Sequence, residues 1–181
     1  MKRHRLLAAA LWVAGSCMAL SAPGVSLWLD VPFVRQQKQA CGEASIAMVM
    51  QYWQQKLHQR PQASADAAAI VRELPPGRHG VRAAAMVRYF KQHNYRAFAY
   101  VGDWGDMEQQ LAKGRPLIVA LKPEGDVSLH YVVVAGVDDP DEVVLMNDPA
   151  RRKLLKEARA QFQREWKATG NWTLLAVPEL Q

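Results

Sequence analysis

The apolar residues in the first half of the chain recur mostly at the spacing of an α-helix. Ile46, Val49, Met50 and Trp53 follow one another at i, i+3, i+4 and i+7, which predicts a helix from residue 41 to residue 53. Small and apolar residues also cover a second side of this helix, so we expect it to be buried on most of its circumference. Similar patterns predict three further helices, over residues 64–74, 81–93 and 103–113.

The second half of the chain is rich in β-branched residues, which favour strands. Apolar runs predict strands over residues 117–121, 130–137, 143–146 and 172–177, and weaker signals predict two earlier strands, over residues 25–33 and 95–101. Turn-forming residues at 138–141 separate two of these strands, which predicts an antiparallel hairpin. The segment 150–166, before the last strand, is predicted to be a helical insertion.

Together these elements predict an α+β fold. A helical N-terminal half, with the helix that begins at Cys41 in its centre, should pack on an antiparallel β-sheet. We assign residues 23–181 to a single domain, because their number suits one domain with a sizeable core. A cleft where the two halves meet is the natural place for a binding site.

The first 22 residues have the pattern of an export signal. Basic residues within positions 2–5 precede an apolar run, Leu6–Ala22, that is too short and too rich in small residues for a strong membrane span. Cleavage near Ser21 would release a periplasmic or extracellular protein without a transmembrane segment. Two alternatives remain open: a lipoprotein anchored through Cys17, and retention of the segment as an uncleaved anchor.

Composition and charge exclude several classes of protein. Half of the residues are hydrophobic, which argues against a disordered chain. The net charge of +6 falls to about +3 without the basic residues of the signal, and the remaining charges are interspersed. The one basic cluster, at residues 151–153, lacks neighbouring aromatic residues that could stack on bases. We therefore expect no nucleic-acid partner.

The chain has only two cysteines, Cys17 and Cys41. Signal cleavage would remove Cys17 and lipidation would consume its thiol, so Cys41 has no partner for an intrachain disulfide in a compartment that permits one. The same count excludes a zinc site built from several thiolates, and the sequence indicates no other metal and no cofactor. Because a free thiol outside the cytoplasm is prone to oxidation, we favour a functional role for Cys41 over simple packing.

His130 is the histidine best placed to assist the thiol. It begins an apolar strand directly after a polar loop, where a side chain is held firmly and stays accessible. Asp148 follows the next strand, so the predicted hairpin brings the two residues to the same end. The carboxylate could then hold one ring nitrogen and leave the other for the thiol. The other histidines beyond the signal lie in polar surroundings and are predicted to be solvated surface residues: His58, His79 and His93.

The position of Cys41 suits a nucleophile. A thiol attacks as its thiolate, and both the free N–H groups of a helix N-terminus and a nearby imidazolium favour that anion. Gly42 would let substrate or backbone approach closely. Gln36 could donate its side-chain amide to an oxyanion beside the Cys41 N–H, although Gln37 is a second candidate. Each residue has an ordinary structural explanation, but together, in the order Gln, Cys, His, Asp, they indicate an enzyme.

Four stretches of the chain resemble C39-type cysteine peptidases, a branch of the papain-like fold: VPFVRQ, CGEASIAMVMQYW, LHYVVVAGVD and VLMNDP. The likeness covers roughly residues 31–149. It implies a papain-like cysteine peptidase fold and a peptide or protein substrate. It also implies that Cys41 is the nucleophile, His130 the general acid/base, Asp148 the residue that orients the histidine, and Gln36 part of the oxyanion hole.

Other features depart from the usual pattern of that family. Papain-like enzymes more often orient the histidine with asparagine, which makes Asn147 a fallback for this role. The best-known C39 domains precede ABC transporters and cut leader peptides after a Gly-Gly pair, whereas this sequence carries an export signal and no transporter. Many relatives have Pro or Ala in place of Glu43, whose carboxylate would oppose the thiolate unless Lys38 or Arg35 pairs with it.

Three functions therefore remain open, and we favour the first. The protein would be an exported peptidase that cleaves peptide bonds through a Cys-His-Asp triad. It would otherwise be a papain-like binding or scaffold protein with a vestigial triad, or an acyl-transferring, transglutaminase-like enzyme, since transfer and hydrolysis share an acyl-enzyme. The loops 75–82 and 123–128 are expected to shape the subsites.

Overall fold

The protein is described by a computed structural model over residues 26–125 and 128–179. The predicted export signal, with Cys17, lies outside the described residues. The helices are α1 (Cys41–Lys56), α2 (Ala67–Glu73), α3 (Ala83–Gln92), α4 (Trp104–Ala112) and α5 (Arg159–Lys167), and a 3₁₀ turn spans Ala63–Ala65. The strands are β1 (Ser26–Trp28), β2 (Tyr95–Val101), β3 (Leu117–Leu121), β4 (His130–Asp138), β5 (Val143–Asn147), β6 (Leu155–Ala158) and β7 (Trp172–Pro178). None of the helices in these two ranges has the length and apolar character needed to cross a membrane.

The strands form one antiparallel sheet in the order β2-β7-β3-β4-β5-β6, and β1 pairs with β4 beyond the end of β3. The predicted hairpin is confirmed, because β4 and β5 pair antiparallel with Val137 opposite Val144. Helices and an antiparallel sheet in one fold confirm the α+β class. The helix predicted from Cys41 also begins at that residue, although it continues to Lys56.

Strand β4 is buried on both of its faces, which explains its continuous apolar run. Tyr131 and Val133 pack in a cluster with residues of α1, α2 and α3. Val132 and Val134 point to the opposite face and pack with residues of α4 and α5. The sheet therefore separates two apolar layers, and α1, which carries Cys41, lies on one side of it.

The predicted helical insertion over 150–166 is wrong in its first part. Residues Leu155–Ala158 form strand β6, which pairs with β5, and the helix begins only at Arg159. Leu, Lys, Glu and Ala are good helix formers, but the free edge of β5 offers backbone partners that override this local preference. The strand conformation turns Leu155 and Glu157 inward, whereas Lys156 and Ala158 are exposed.

Candidate active site

Cys41 is the first residue of α1, and the N-terminus of that helix has no side-chain cap. The N-cap residue is Ala40, which cannot accept a hydrogen bond through its side chain, so the first N–H groups of the helix have no intrahelical partner. The Cys41 side chain is a free thiol that lines a cavity, with only 8% of the residue exposed. Its surroundings therefore combine low solvent access with N–H groups that no N-cap side chain accepts from.

His130 and Asp148 meet at the shared end of the β4–β5 hairpin. The distance from His130 Nε2 to Asp148 Oδ1 is 2.8 Å. The backbone N–H of Ala150 also donates to Asp148 Oδ1, at 2.9 Å, so the carboxylate is held by the turn that follows it. Because Nε2 is occupied by Asp148, Nδ1 is the ring nitrogen left for the thiol, and the Cys41 side chain is close enough to raise the pKa of the imidazole.

The electrostatics of this trio favour charged His130 and charged Asp148. Burial alone would lower the pKa of His130, but the hydrogen bonds to Asp148 and Cys41, together with their charges, raise it to about 9. For Asp148 burial would raise the pKa, but the hydrogen bond and charge of His130, the Ala150 N–H and the charge of Arg151 lower it. An imidazolium beside the anionic Asp148 carboxylate is thus the favoured state near neutral pH.

Of the two candidate glutamines, only Gln36 reaches the cavity. Its side chain lines the same space as Cys41, and its backbone N–H donates to the Pro149 carbonyl oxygen at 2.9 Å. This bond ties the loop before α1 to the residue that follows Asp148. Gln37 is exposed, and its carbonyl oxygen accepts from Ala40 in the turn that leads into the helix.

Asn147, the fallback for orienting the histidine, is engaged elsewhere. Its Nδ2 donates to the carbonyl oxygen of Val31 at 3.0 Å, and its Oδ1 accepts from the backbone N–H of Leu154 at 2.9 Å. The fully buried amide therefore fastens two loops to the end of β5, and the adjacent carboxylate contacts His130.

Glu43 forms no ion pair with Lys38 or Arg35, the two cations that the sequence offered as partners. It is fully buried, and neither of its carboxylate oxygens has a hydrogen-bond partner of normal geometry, from Lys38, Arg35 or any other described residue. Burial raises the pKa of Glu43, and the effect of its own backbone N–H lowers it only in part. Because a raised pKa favours the uncharged carboxyl, burial weakens the opposition to a thiolate two residues away.

Gly42 has a packing role that differs from the one expected. A Cβ atom on this residue would lie 2.3 Å from Val81 Cγ1 and 3.3 Å from Met86 Sδ and from a Tyr131 ring carbon. The close approach is therefore made by side chains of the protein's own core. Gly42 lets the first turn of α1 pack tightly against the start of α3 and against β4.

Gln36, Cys41, His130 and Asp148 all line one cavity of about 450 Å³. As expected, both loops contribute to its walls, the first through residues 78–80 and the second through Pro123 and Ser128. A further wall of the cavity is formed by β6 and α5, and the sequence did not predict it. Its one signal in the sequence is the i, i+4 spacing of Gln161 and Glu165, which places both on one face of α5. The lining residues of this wall are Glu157, Gln161 and Glu165.

The other histidines in the described ranges lie at or near the surface, as the sequence predicted. His58 and His79 are exposed, and His93 contacts Glu73 at 3.7 Å, but His79 also stands at the rim of the cavity. Within the described ranges, no group of three or more His, Cys, Asp or Glu side chains is arranged to hold a metal ion.

Comparison with protein families matches residues 28–174 to the family described as Peptidase_C39 like. This match spans all four stretches that carry the resemblance in the sequence. No curated protein sequence matches the chain.

Several solved structures share the fold. One is described as a C39-like peptidase from Bacillus anthracis, with a TM-score of 0.70 and 18% identity, over 87% of this chain and 100% of that one. Another is a double glycine motif protease from an AMS/PCAT transporter in complex with the leader peptide (TM-score 0.63, 21% identity, 85% of this chain, 99% of that one). A third is the peptidase domain of Streptococcus ComA, an ABC transporter (TM-score 0.63, 23% identity, 82% of this chain, 98% of that one).

Proposed function

The chain belongs to the Peptidase_C39 like family, and from this premise we propose that it is an exported cysteine peptidase whose reacting groups are Cys41, His130 and Asp148. One observation carries the proposal. The His130 imidazole is hydrogen-bonded to the Asp148 carboxylate, and both residues line, together with Cys41, a cavity large enough for a peptide segment. Nucleophile, base and orienting group in this order are what acyl transfer from a peptide requires.

The reaction begins with attack of the Cys41 thiolate on the scissile carbonyl carbon. The new S–C bond turns the carbonyl oxygen into an oxyanion, which the Cys41 N–H and the Gln36 side-chain amide stabilise. His130 gives its proton to the leaving amine as the C–N bond breaks, which leaves a thioester. The neutral imidazole then takes a proton from water, whose oxygen attacks the thioester, and the released thiolate recovers its imidazolium partner.

The raised pKa of His130 supports this sequence of steps. At a pKa of about 9 the imidazole is protonated near neutral pH, so it holds the proton that the leaving amine needs. The lowered pKa of Asp148 keeps its carboxylate anionic, which fixes the ring and stabilises its charge. Asp148 acts through His130 and is a positioning residue.

Residues 1–22 support a site of action outside the cytoplasm. Their basic start, short apolar run and small residues favour export, with cleavage near Ser21 or lipid attachment at Cys17. The substrates we propose are therefore peptides or protein segments of the periplasm or the extracellular space. The AMS/PCAT transporter protease, which shares the fold, is described in complex with the leader peptide.

A thiol-directed probe tests the proposal. A peptidyl acyloxymethyl ketone should alkylate Cys41 in the wild-type protein, as mapped by mass spectrometry of the modified fragment. Cys41→Ser should abolish labelling, and His130→Ala should slow it by roughly 100-fold or more because the general acid/base is lost. His58→Ala, a change to an exposed histidine, is the control and should label normally. Labelling of wild type and His130→Ala at equal rates would overturn the proposal.

A further inference from the structure

One wall of the cavity is acidic and takes no part in the proposed reaction. Glu157 comes from β6, and Glu165 and Gln161 come from α5. The last two are four residues apart, so they share a helix face, and Gln161 Nε2 donates to Glu165 Oε1 at 3.0 Å. This hydrogen bond orients the Glu165 carboxylate at the edge of the cavity.

Glu157 is the unusual member of this wall. Only 9% of the residue is exposed, yet its Oε1 is buried and has no hydrogen-bond partner among the described residues. Burial raises the pKa of Glu157, and the charge of Glu165 raises it further. Buried carboxylates normally have partners, because leaving an acceptor unsatisfied is unfavourable. An unpaired oxygen in a side chain that lines an open cavity indicates that the missing donor comes from outside the chain.

The basic residues that line this cavity do not supply the missing donor for Glu157 Oε1. Arg151 is close enough for its charge to lower the pKa of Glu157, but its side chain is exposed and forms no ion pair with Glu157 in the described structure. Arg78 and His79 belong to the loop that follows α2 and are both exposed. Asp148, the other nearby carboxylate, raises the pKa of Glu157 as Glu165 does. Of the three charges that shift the pKa of Glu157, two are therefore negative and one is positive.

The approach to Glu157 is apolar. Met146 and Leu121 line the same cavity, and both belong to the apolar layer between the sheet and α5. On β6, Glu157 faces Val144 of β5, in the same layer as Met146. A ligand that reaches the carboxylate from Cys41 thus passes along aliphatic surface and ends at a negative charge. Lysine and arginine side chains have this character, because an aliphatic stem carries a terminal cation.

We propose that Glu157 and Glu165 form a cation-binding subsite that receives a lysine or arginine side chain of the peptide held at Cys41. The inference rests on the proposed function only in taking a peptide as the ligand. The protein would select substrates with a basic residue near the scissile bond, since a charge-assisted hydrogen bond in a poorly solvated cavity is stronger than one in water.

The experiment compares quenched alanine-based heptapeptides in which one lysine is moved through every position. Each is paired with the same peptide carrying norleucine, which keeps the aliphatic stem and removes the charge; arginine and citrulline form a second pair. At one position we expect wild type to prefer lysine over norleucine by about tenfold or more in kcat/KM. Glu157→Gln should reduce this ratio to below about threefold, and Glu165→Gln should reduce it in part.

Glu142→Gln is the matched control. It removes one negative charge at the exposed loop joining β4 and β5, at the opposite end of the hairpin from His130 and Asp148. It should keep the lysine preference. Glu142→Gln should also turn over the norleucine peptides within about twofold of the wild-type rate. Failure of Glu157→Gln to fold would leave Glu165→Gln as the deciding variant.

The outcomes separate the subsite from the peptidase activity. Cleavage without a preference for lysine at any position, or a preference that survives both cavity substitutions, would overturn the subsite and leave the peptidase standing. The opposite case is a protein that has the subsite but does not cleave peptides. It is tested by measuring the binding of the same peptides to Cys41→Ala by fluorescence anisotropy. A lysine preference in binding that depends on Glu157, together with no cleavage by wild type, would support the subsite and overturn the proposed activity.

Discussion

His130 Nε2 and Asp148 Oδ1 lie 2.8 Å apart, although the two residues are 18 positions apart in the chain. The hairpin of β4 and β5 brings them together at its open end, and the Ala150 N–H holds the carboxylate in place. The contact leaves the second ring nitrogen for Cys41 at the head of α1. It therefore couples the end of the sheet to the start of the central helix.

Replacing Asp148 with asparagine should change the pH dependence of activity more than its maximum. Without the negative charge the pKa of His130 falls from about 9, so the imidazolium loses its proton at lower pH. The alkaline limb of the profile of kcat/KM, or of the rate of Cys41 alkylation by iodoacetamide, should move in the same direction. An amide oxygen can still orient the ring, so we expect roughly a tenfold loss for Asp148→Asn and roughly 100-fold for Asp148→Ala. Superimposable alkaline limbs in wild type and Asp148→Asn would contradict this account.

The two neighbouring glutamines should differ sharply. Gln36 lines the cavity with Cys41 and Gln37 does not. If the Gln36 amide donates to the oxyanion, Gln36→Ala should lower kcat by roughly 100-fold with little change in KM. Gln37→Ala removes an exposed amide and should have almost no effect. Equal losses in the two variants would show that the assignment of Gln36 is mistaken.

Glu43 should make stability depend on pH. Burial raises the pKa of its carboxyl above the ordinary value of 4.5, so the folded protein keeps a proton that the unfolded chain releases. The stabilising contribution is therefore fully present below pH 4.5 and is lost as the pH rises through the folded-state pKa. Glu43→Gln cannot ionise and should lose less stability above about pH 5, with a gain on the order of 1 kcal/mol or more over wild type at alkaline pH.

Urea unfolding across the pH range measures this effect. Glu142→Gln, a change at an exposed carboxylate, is the control and should follow the wild-type curve. Parallel curves for wild type and Glu43→Gln would mean that the Glu43 carboxyl is not protonated in the folded protein.

Gly42→Ala should destabilise the protein in spite of the higher helix propensity of alanine. The added Cβ would lie 2.3 Å from Val81 Cγ1, a distance that forces the core to shift. Overpacking of this kind costs about 1–3 kcal/mol in the free energy of unfolding. Trimming the clashing side chain should relieve it, so Val81→Ala combined with Gly42→Ala should lose less stability than the sum of the two single changes. Additive losses would argue against a direct clash.

Processing of the first residues can be read from the intact mass of the exported protein. Cleavage as predicted gives a chain that begins between Cys17 and Pro23. A diacylglyceryl group on Cys17 would add its mass and select the lipoprotein form. Retention of Met1 would contradict both routes.

Local patterns in the sequence were enough to predict most elements of the fold. The apolar spacing in α1, the β-branched run of β4 and the turn residues at 138–141 each act within a few positions, so they are visible without the rest of the molecule. The position of His130 and Asp148 at one end of the hairpin follows from those elements. The choice between Gln36 and Gln37 did not, because neighbouring loop residues point in different directions for reasons that lie in the loop's tertiary contacts.

Strand β6 and the acidic wall show what local reasoning misses. The residues of β6 favour a helix by propensity, and they form a strand because β5 offers an unpaired edge. Once the strand exists, Glu157 is turned toward the cavity beneath α5. No pattern along the chain predicts that burial, since it depends on how β6 pairs with β5 and how α5 then packs over the sheet.

The sequence by itself therefore determined the fold class, the family and the set of residues Gln36, Cys41, His130 and Asp148 as candidates for one site. Only the tertiary structure decided the surroundings of other residues near this site. Glu43 is buried and its carboxylate oxygens have no hydrogen-bond partner, Gly42 packs closely against Val81, and Glu157 has an unpaired oxygen at the cavity wall. The physical reason is one of range. Helix and strand periodicity arise between neighbours in the chain, whereas burial, pKa values and unsatisfied polar groups depend on which distant segments exclude water from a residue.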